Sequence, residues 1–303
     1  MKPTATDRSI PLEVVTDDGL RLHLWRYPCD GARVGVVLAT HAMWANAGYF
    51  DRPRGEGFAT YLAHRGFDVY VLDFRGHGRS ERPATGWTFD DYVRLDLPAA
   101  LCRIEAESGT APGQVSWVGH SLGGLVGVAA AGVLPELAPA KLVLVTANIW
   151  RNAGVARRAF IEAFDASARL LGHAPIRALR LGTDDEPAPY VAQLASWVRT
   201  GRFLTADGRA SYDDTLSRVR SPVLVVVGGR DVLCRMSEAR ELAERLGSSE
   251  RRYLTVSKAN GFGFNATHFT LFTSGKATPV WDEMVSFLCR TGTPASAQAG
   301  RGE

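Results

Sequence analysis

The sequence predicts an α/β fold built on a mostly parallel, twisted sheet that opens with an antiparallel hairpin and is interrupted by one helical insertion. Three observations carry this. Short apolar, β-branched runs recur along the chain with helical stretches between them, the pattern of strands joined by crossover connections. Near the start, Asp18-Gly19 separates two such runs and marks a hairpin turn. From Ala147 to about Tyr212 the strand pattern gives way to helical periodicity.

In chain order, Leu12 to Val15 and Leu20 to Tyr27 make the hairpin. Val34 to Ala39, Val69 to Asp73, Val115 to Gly119, Lys141 to Thr146, Val223 to Gly228 and Tyr253 to Val256 are then expected to run parallel. Helices are expected at Gly57 to His64, Asp90 to Glu107, Leu122 to Leu134, Ser237 to Leu246 and Val280 to Arg290. Residues 1–146 and 213–290 form the core, and 147–212 reads as a helical cap over the strand ends. Its first helix carries Phe160, Phe164, Leu170 and Leu171 on an apolar face, Asp184-Asp185-Glu186-Pro187 breaks it, and a second carries Val191, Leu194 and Trp197. The tail, 291–303, is rich in Gly, Ala and Ser and is expected to be disordered.

An apolar content of 46% over 303 residues suffices for a packed core. The net charge of +3 arises from 35 basic and 32 acidic side chains dispersed along the chain, which excludes nucleic acid as an expected partner. No apolar stretch is long enough to span a bilayer, and Met1 to Ile10 lacks the apolar core of a signal peptide. A cytoplasmic protein without stable membrane insertion is expected. Cys29, Cys102, Cys234 and Cys289 form no C-x-x-C pair, so neither a zinc ribbon nor a redox motif is expected, and no metal or cofactor is implied.

The chemistry centres on Gly119-His120-Ser121-Leu122-Gly123, a G-x-S-x-G run between an apolar strand and a small-residue helix. A serine on a sharp strand-to-helix turn presents its hydroxyl at the top of the sheet. The glycines remove Cβ atoms that would clash, and the turn aims the Leu122 N–H and the positive end of a helix at a developing oxyanion. Such a nucleophile needs a base, and the base needs a group to hold its tautomer. Asp231 follows the run Val223 to Gly228 through Gly229-Arg230, where a carboxylate can reach sideways to an imidazole. His268 lies in a loop between the last strand and the last helix, whereas His23, His64 and His173 fall in the hairpin, on a helix surface and in the insertion. Cys234, close behind Asp231, is the cysteine nearest this chemistry.

After Val34 to Ala39 the chain reads Thr40-His41-Ala42-Met43-Trp44. Met43 is the favoured second oxyanion donor and Ala42 the alternative, while His41 is expected to order the loop by hydrogen bonds. Asp73-Phe74-Arg75-Gly76-His77-Gly78-Arg79-Ser80 reads as a structural turn at the rim of the site whose charges pair locally.

Taken together, Gly119 to Gly124, the Asp73 to Ser80 turn, Gly228-Gly229-Arg230-Asp231 and Thr267-His268 resemble the α/β-hydrolase superfamily over about residues 34–290. More narrowly they resemble capped hydrolases of the serine-aminopeptidase and monoacylglycerol-lipase type. The resemblance implies acyl transfer to water through an acyl-serine, with Ser121 as nucleophile, His268 as base and Asp231 as its orienting acid. A serine nucleophile counts against epoxide hydrolases and dehalogenases, which carry aspartate.

For the substrate pocket, Met43, Trp44, Tyr49 and Phe50 from the loop and Phe160, Phe164 and Trp197 from the cap are candidate lining. They imply a small hydrophobic ester or acyl substrate, admitted by motion of the cap. Asp184 to Glu186 could instead meet a substrate amine, with solvated charges at a helix break as the alternative. Thioester cleavage, carbon–carbon bond hydrolysis, acyl transfer to another alcohol and a non-catalytic ligand receptor are the rival functions.

Overall fold

The computed structural model describes residues 9–290. The eight-stranded sheet runs in the order β1-β2-β4-β3-β5-β6-β9-β10. β1 (Ile10–Val15) and β2 (Arg21–Tyr27) form the antiparallel hairpin, with Gly19 at φ 81 in its turn. β2 lies antiparallel on β4 (Phe67–Asp73). From there β3 (Gly35–Thr40), β5 (Ser116–His120), β6 (Leu142–Val145), β9 (Val223–Gly228) and β10 (Arg251–Val256) continue in parallel. β9 is buried along its whole length, which is why its sequence is a continuous apolar run rather than an alternation. β3 has β4 on one side and β5 on the other, so the strand order reverses there and leaves a crevice beyond the carboxyl ends of β3 and β5.

Helices cover both faces of the sheet. α1 (Phe58–His64), α8 (Thr270–Thr273) and α9 (Thr278–Cys289) pack with Phe50, Val69 and Val226 on one face. α3 (Leu97–Ser108), α4 (Leu122–Val133) and α7 (Met236–Glu244) pack with Leu38, Tyr70 and Val225 on the other. The stretch expected as one helix from Asp90 begins as α2 (Phe89–Asp91) and passes through a π-helical turn, Tyr92–Asp96, into α3. Asp96 at the end of that turn is buried against Arg75, its Oδ1 2.7 Å from Nε.

Within 147–212, α5 (Val155–Leu171) and α6 (Ala188–Thr200) pack on each other, flanking the two-residue strands β7 (His173–Ala174) and β8 (Glu186–Pro187). The inward face of α5 is Ile161, Phe164, Asp165 and Ala168, spaced three and four apart. Leu170 and Leu171, expected on that face, are exposed because the stripe through Ile161 and Ala168 turns away from them. Asp165 is held there by Arg169 and Arg199 at 2.9 and 3.3 Å. The tail, 291–303, expected to be disordered, lies outside the described residues.

Candidate active site

Ser121 leaves β5 and caps α4 at φ 51, ψ −109, outside the regions a serine ordinarily occupies. Its amide donates to Val145 O at 2.8 Å on the neighbouring strand, so the strained turn is bolted to the sheet. The flanking glycines are required by space: a Cβ on Gly119 would fall 2.5 Å from Gly124 Cα, and one on Gly123 only 2.3 Å from Thr40 O. The Gly123 amide donates to His41 O at 3.0 Å and ties the turn to the loop after β3.

Asp231 sits in the turn after β9. Its Oδ1 accepts the amides of Leu233 and Cys234 at 2.8 and 2.9 Å, and Oδ2 lies 2.9 Å from His268 Nδ1. One carboxylate oxygen is therefore fixed by the backbone and the other orients the ring. Cys234 enters through its main chain only, since burial pushes its thiol pKa up and keeps the sulfur protonated.

His268 is also held from behind. The buried His120 places Nε2 3.0 Å from His268 O, and facing a carbonyl it must donate. Burial and the neighbouring His268 keep the His120 pKa well below its ordinary value. Tyr49 stacks on the His120 ring, centroids 5.3 Å apart at 8°, and donates to Phe269 O at 2.5 Å. Tyr49, expected in the pocket wall, thus stands behind His268: the 3₁₀ turn Ala47–Asp51 carries it under α8, among Phe50 and Phe272. Phe50 is fully buried in the same cluster and away from the cavity. His120 was not singled out from sequence, where its one signal is a polar residue at the buried end of an apolar strand.

In the loop after β3, His41 lies 2.8 Å through Nδ1 from Ala42 O and accepts the Phe74 amide on Nε2 at 3.2 Å. Burial, reinforced by His77, lowers its pKa to about 3, so it is a neutral organiser of the loop, as expected. Trp44 adopts φ 69, and its amide donates to Glu186 Oε1 at 2.9 Å. Among the described residues the amides of Met43 and Leu122 make no hydrogen bond.

Two of the acids in the break, Asp184 and Glu186, are buried, and none of the three lines the cavity. Glu186, fully buried, also lies 3.2 Å from His77 Nε2; burial alone would lower the His77 pKa, and the carboxylate outweighs it, for a net rise. Asp184 accepts from Gly78 N at 3.0 Å and Asn46 Nδ2 at 2.8 Å, and Asp185 accepts from Arg177 N at 2.8 Å. Asp184 and Glu186 pin β8 to the loops after β3 and β4, while Asp185 ties the insertion to itself. The turn Asp73 to Ser80 was expected to pair its charges locally, yet Arg75 reaches Asp96 at 2.7 Å and Asp18 at 3.0 Å. Buried Asp73, its pKa raised by burial to about 6, accepts Ala47 N at 2.6 Å and Arg79 N at 3.2 Å. The turn supports the site from beneath and contributes nothing to the cavity lining.

Ser121 and His268 open into a cavity of about 750 Å³, its mouth included, that reaches between the sheet and α5 and α6. Met43, Trp44, Phe160 and Phe164 line it, with Trp44 edge-on to Phe164 at 6.0 Å and Phe160 stacked on Phe164 at 5.9 Å. Tyr190 and Leu194 line it from α6. Trp197 shares their stripe but sits a turn further on, fully buried between Phe89 and Phe203 at 4.9 and 4.8 Å, and so anchors α6 rather than lining the cavity. No carboxylate is among the lining residues. Among the described residues no group of three or more His, Cys, Asp or Glu could hold a metal ion, and no helix is long and apolar enough to cross a membrane.

The chain is 31% identical over 135 residues to triacylglycerol lipase 2 of Arabidopsis thaliana, a match covering 39% of the chain and 32% of that lipase. The match thus spans about a third of that curated relative's length. It is 28% identical over 257 residues to an uncharacterized protein of Mycobacterium tuberculosis, covering 83% of the chain and 71% of that protein. The solved esterase of Exiguobacterium antarcticum superposes with a TM-score of 0.65 at 16% identity over 92% of the chain and 99% of its own, a likeness of fold. A family model described as serine aminopeptidase, S33, matches residues 32–259, well over half the chain. With that match and this fold, the chain belongs to the serine aminopeptidase S33 family of α/β-hydrolases.

Proposed function

We propose that the protein is a serine hydrolase that cleaves a hydrophobic carboxylic ester through an acyl-serine intermediate. One observation carries the reading: Ser121 shares an apolar cavity with a histidine whose Nδ1 is 2.9 Å from a buried carboxylate. With Nδ1–H committed to Asp231, Nε2 is the free base and takes the Ser121 proton as Oγ attacks the ester carbonyl. The amides of Met43 and Leu122 hold the resulting oxyanion; the Trp44 amide, engaged by Glu186, is not free to join them. His268 then passes its proton to the departing alkoxide and activates the water that releases the acid.

The substrate class follows from the lining. An N-terminal peptide amine needs a carboxylate in the cavity; Asp184 and Glu186 are committed to Gly78, Asn46, Trp44 and His77 instead. The aromatic and aliphatic wall favours a hydrocarbon-bearing ester, and the lipases among the relatives support that choice. Residues 147–212 act as the cap, with α5 and α6 forming the roof of the acyl site.

A fluorophosphonate probe followed by a para-nitrophenyl ester chain-length series, run beside acyl-coenzyme A thioesters, tests this. Ser121 is expected to be labelled and medium-chain esters to turn over. Labelling without turnover of any ester would shift the reading to another acyl chemistry on the same residues; no labelling of folded protein would point to a ligand receptor.

A further inference from the structure

The cavity holds more hydrogen-bonding capacity than hydrolysis of a plain hydrocarbon ester uses. Asn148 Nδ2 donates to Leu233 O at 3.0 Å while its Oδ1 accepts the Trp150 amide at 3.2 Å, and Trp150 Nε1 donates to the same Leu233 carbonyl at 2.6 Å. Those two lining residues are satisfied. Thr146 is not: it is 1% exposed, lies at φ 51, and its Oγ1 is buried with no partner among the described residues. Tyr190 lines the same cavity, and its hydroxyl makes no hydrogen bond among the described residues. The Trp44 indole Nε1 is likewise buried and unpaired among the described residues. A buried polar group without a partner costs about 1–3 kcal/mol, so Thr146 Oγ1 and Trp44 Nε1, two such groups on one apolar cavity, await a ligand, and the Tyr190 hydroxyl offers a third site for it.

We infer that Thr146 and Tyr190 form a polar subsite for a second oxygen of the substrate, so that the preferred ester carries a keto, hydroxyl or ether oxygen besides the scissile carboxyl. Thr146 directly follows Val145, whose carbonyl takes the Ser121 amide, so the subsite begins next to the nucleophile's own backbone and the oxygen belongs within a few bonds of the scissile carbonyl. Both hydroxyls can donate or accept and the indole can only donate, a set that fits an uncharged acceptor oxygen. With no carboxylate in the lining, nothing favours a cation.

This rests on the ester-hydrolase reading for its substrate but is tested apart from it. In Ser121→Ala protein, binding of methyl 3-oxohexanoate and methyl hexanoate is compared by quenching of tryptophan fluorescence. The oxo ester is expected to bind on the order of tenfold tighter. Adding Thr146→Val or Tyr190→Phe should erase most of that margin. Equal affinities for the two esters, or a margin that survives both substitutions, would overturn the subsite. Turnover by the unsubstituted protein scores the hydrolase reading separately, so either idea can fail alone.

Discussion

Glu186 Oε1 accepts the Trp44 amide at 2.9 Å across 142 residues of chain, joining the insertion to the loop whose Met43 and Trp44 line the cavity. Trp44 is at φ 69, a conformation unfavourable for tryptophan, and the buried carboxylate holds it there. Glu186→Ala removes that acceptor and strands His77 in the core, and its expected cost is about 3–5 kcal/mol in urea unfolding. Glu186→Gln retains an acceptor for Trp44 and loses only the charge facing His77. It should keep more esterase turnover than Glu186→Ala at a temperature where both are folded; equal losses would show that the charge, not the amide contact, matters.

Asp231→Asn leaves the two backbone contacts of Oδ1 available but allows the wrong His268 tautomer. Ester kcat should fall by roughly 10⁴-fold with KM little changed, as losing the orienting acid does in such triads. Steady-state kinetics beside Ser121→Ala checks it, and a fall of less than tenfold would remove Asp231 from the mechanism.

Gly123→Ala pushes a methyl to within 2.3 Å of the Thr40 carbonyl, backbone against backbone. Neither side can yield without breaking the Gly123 to His41 hydrogen bond, so a loss of about 3 kcal/mol or more is expected. Chemical denaturation measures it; Gly154→Ala, where nothing lies within 4 Å, serves as the neutral control.

His41 supplies a pH dependence of known sign. Its folded pKa is depressed to about 3 from an ordinary 6.5, so the stability it contributes is present above pH 6.5 and is lost as pH falls toward 3. Asp73, raised to about 6 from 3.8, acts oppositely, gaining stability on acidification across that narrower window. Melting temperatures followed from pH 7 to pH 4 should fall less steeply for His41→Gln than for the unsubstituted protein. Parallel curves would mean that His41 is not the acid-sensitive group.

Phe164 stacks with Phe160 and meets Trp44 edge-on, walling one side of the cavity. Phe164→Ala should move the preferred para-nitrophenyl ester toward longer acyl chains with only a modest stability loss, because the residue is partly exposed. An unchanged chain-length profile would place the acyl group elsewhere.

The sheet was legible because parallel strands buried on both faces, such as Val223–Gly228, write themselves as unbroken apolar runs. Ser121, Asp231 and His268 were legible because each follows a strand at a turn marked by glycine or lies before the last helix. What sequence could not resolve was which neighbour a given side chain meets. Tyr49 and Trp197 have the composition of pocket lining, yet one backs His120 and the other packs on Phe89. The acids after Gly182 look like a solvated break, and only tertiary contact with Trp44, Asn46 and Gly78 turns them into anchors. Single-chain periodicity also placed Leu170 and Leu171 on the wrong side of α5 by a fraction of a turn.

His120 precedes Ser121 in the chain and grips the carbonyl of His268, so Ser121 and His268 are tied to one strand end and share one frame of reference. The contacts that fix the two residues run through β5, β6, the turn after β9 and the loop after β10, and none of them passes through α5 or α6. A roof built from α5 and α6 can thus be rebuilt for a different guest without disturbing the contacts that seat Ser121 and His268.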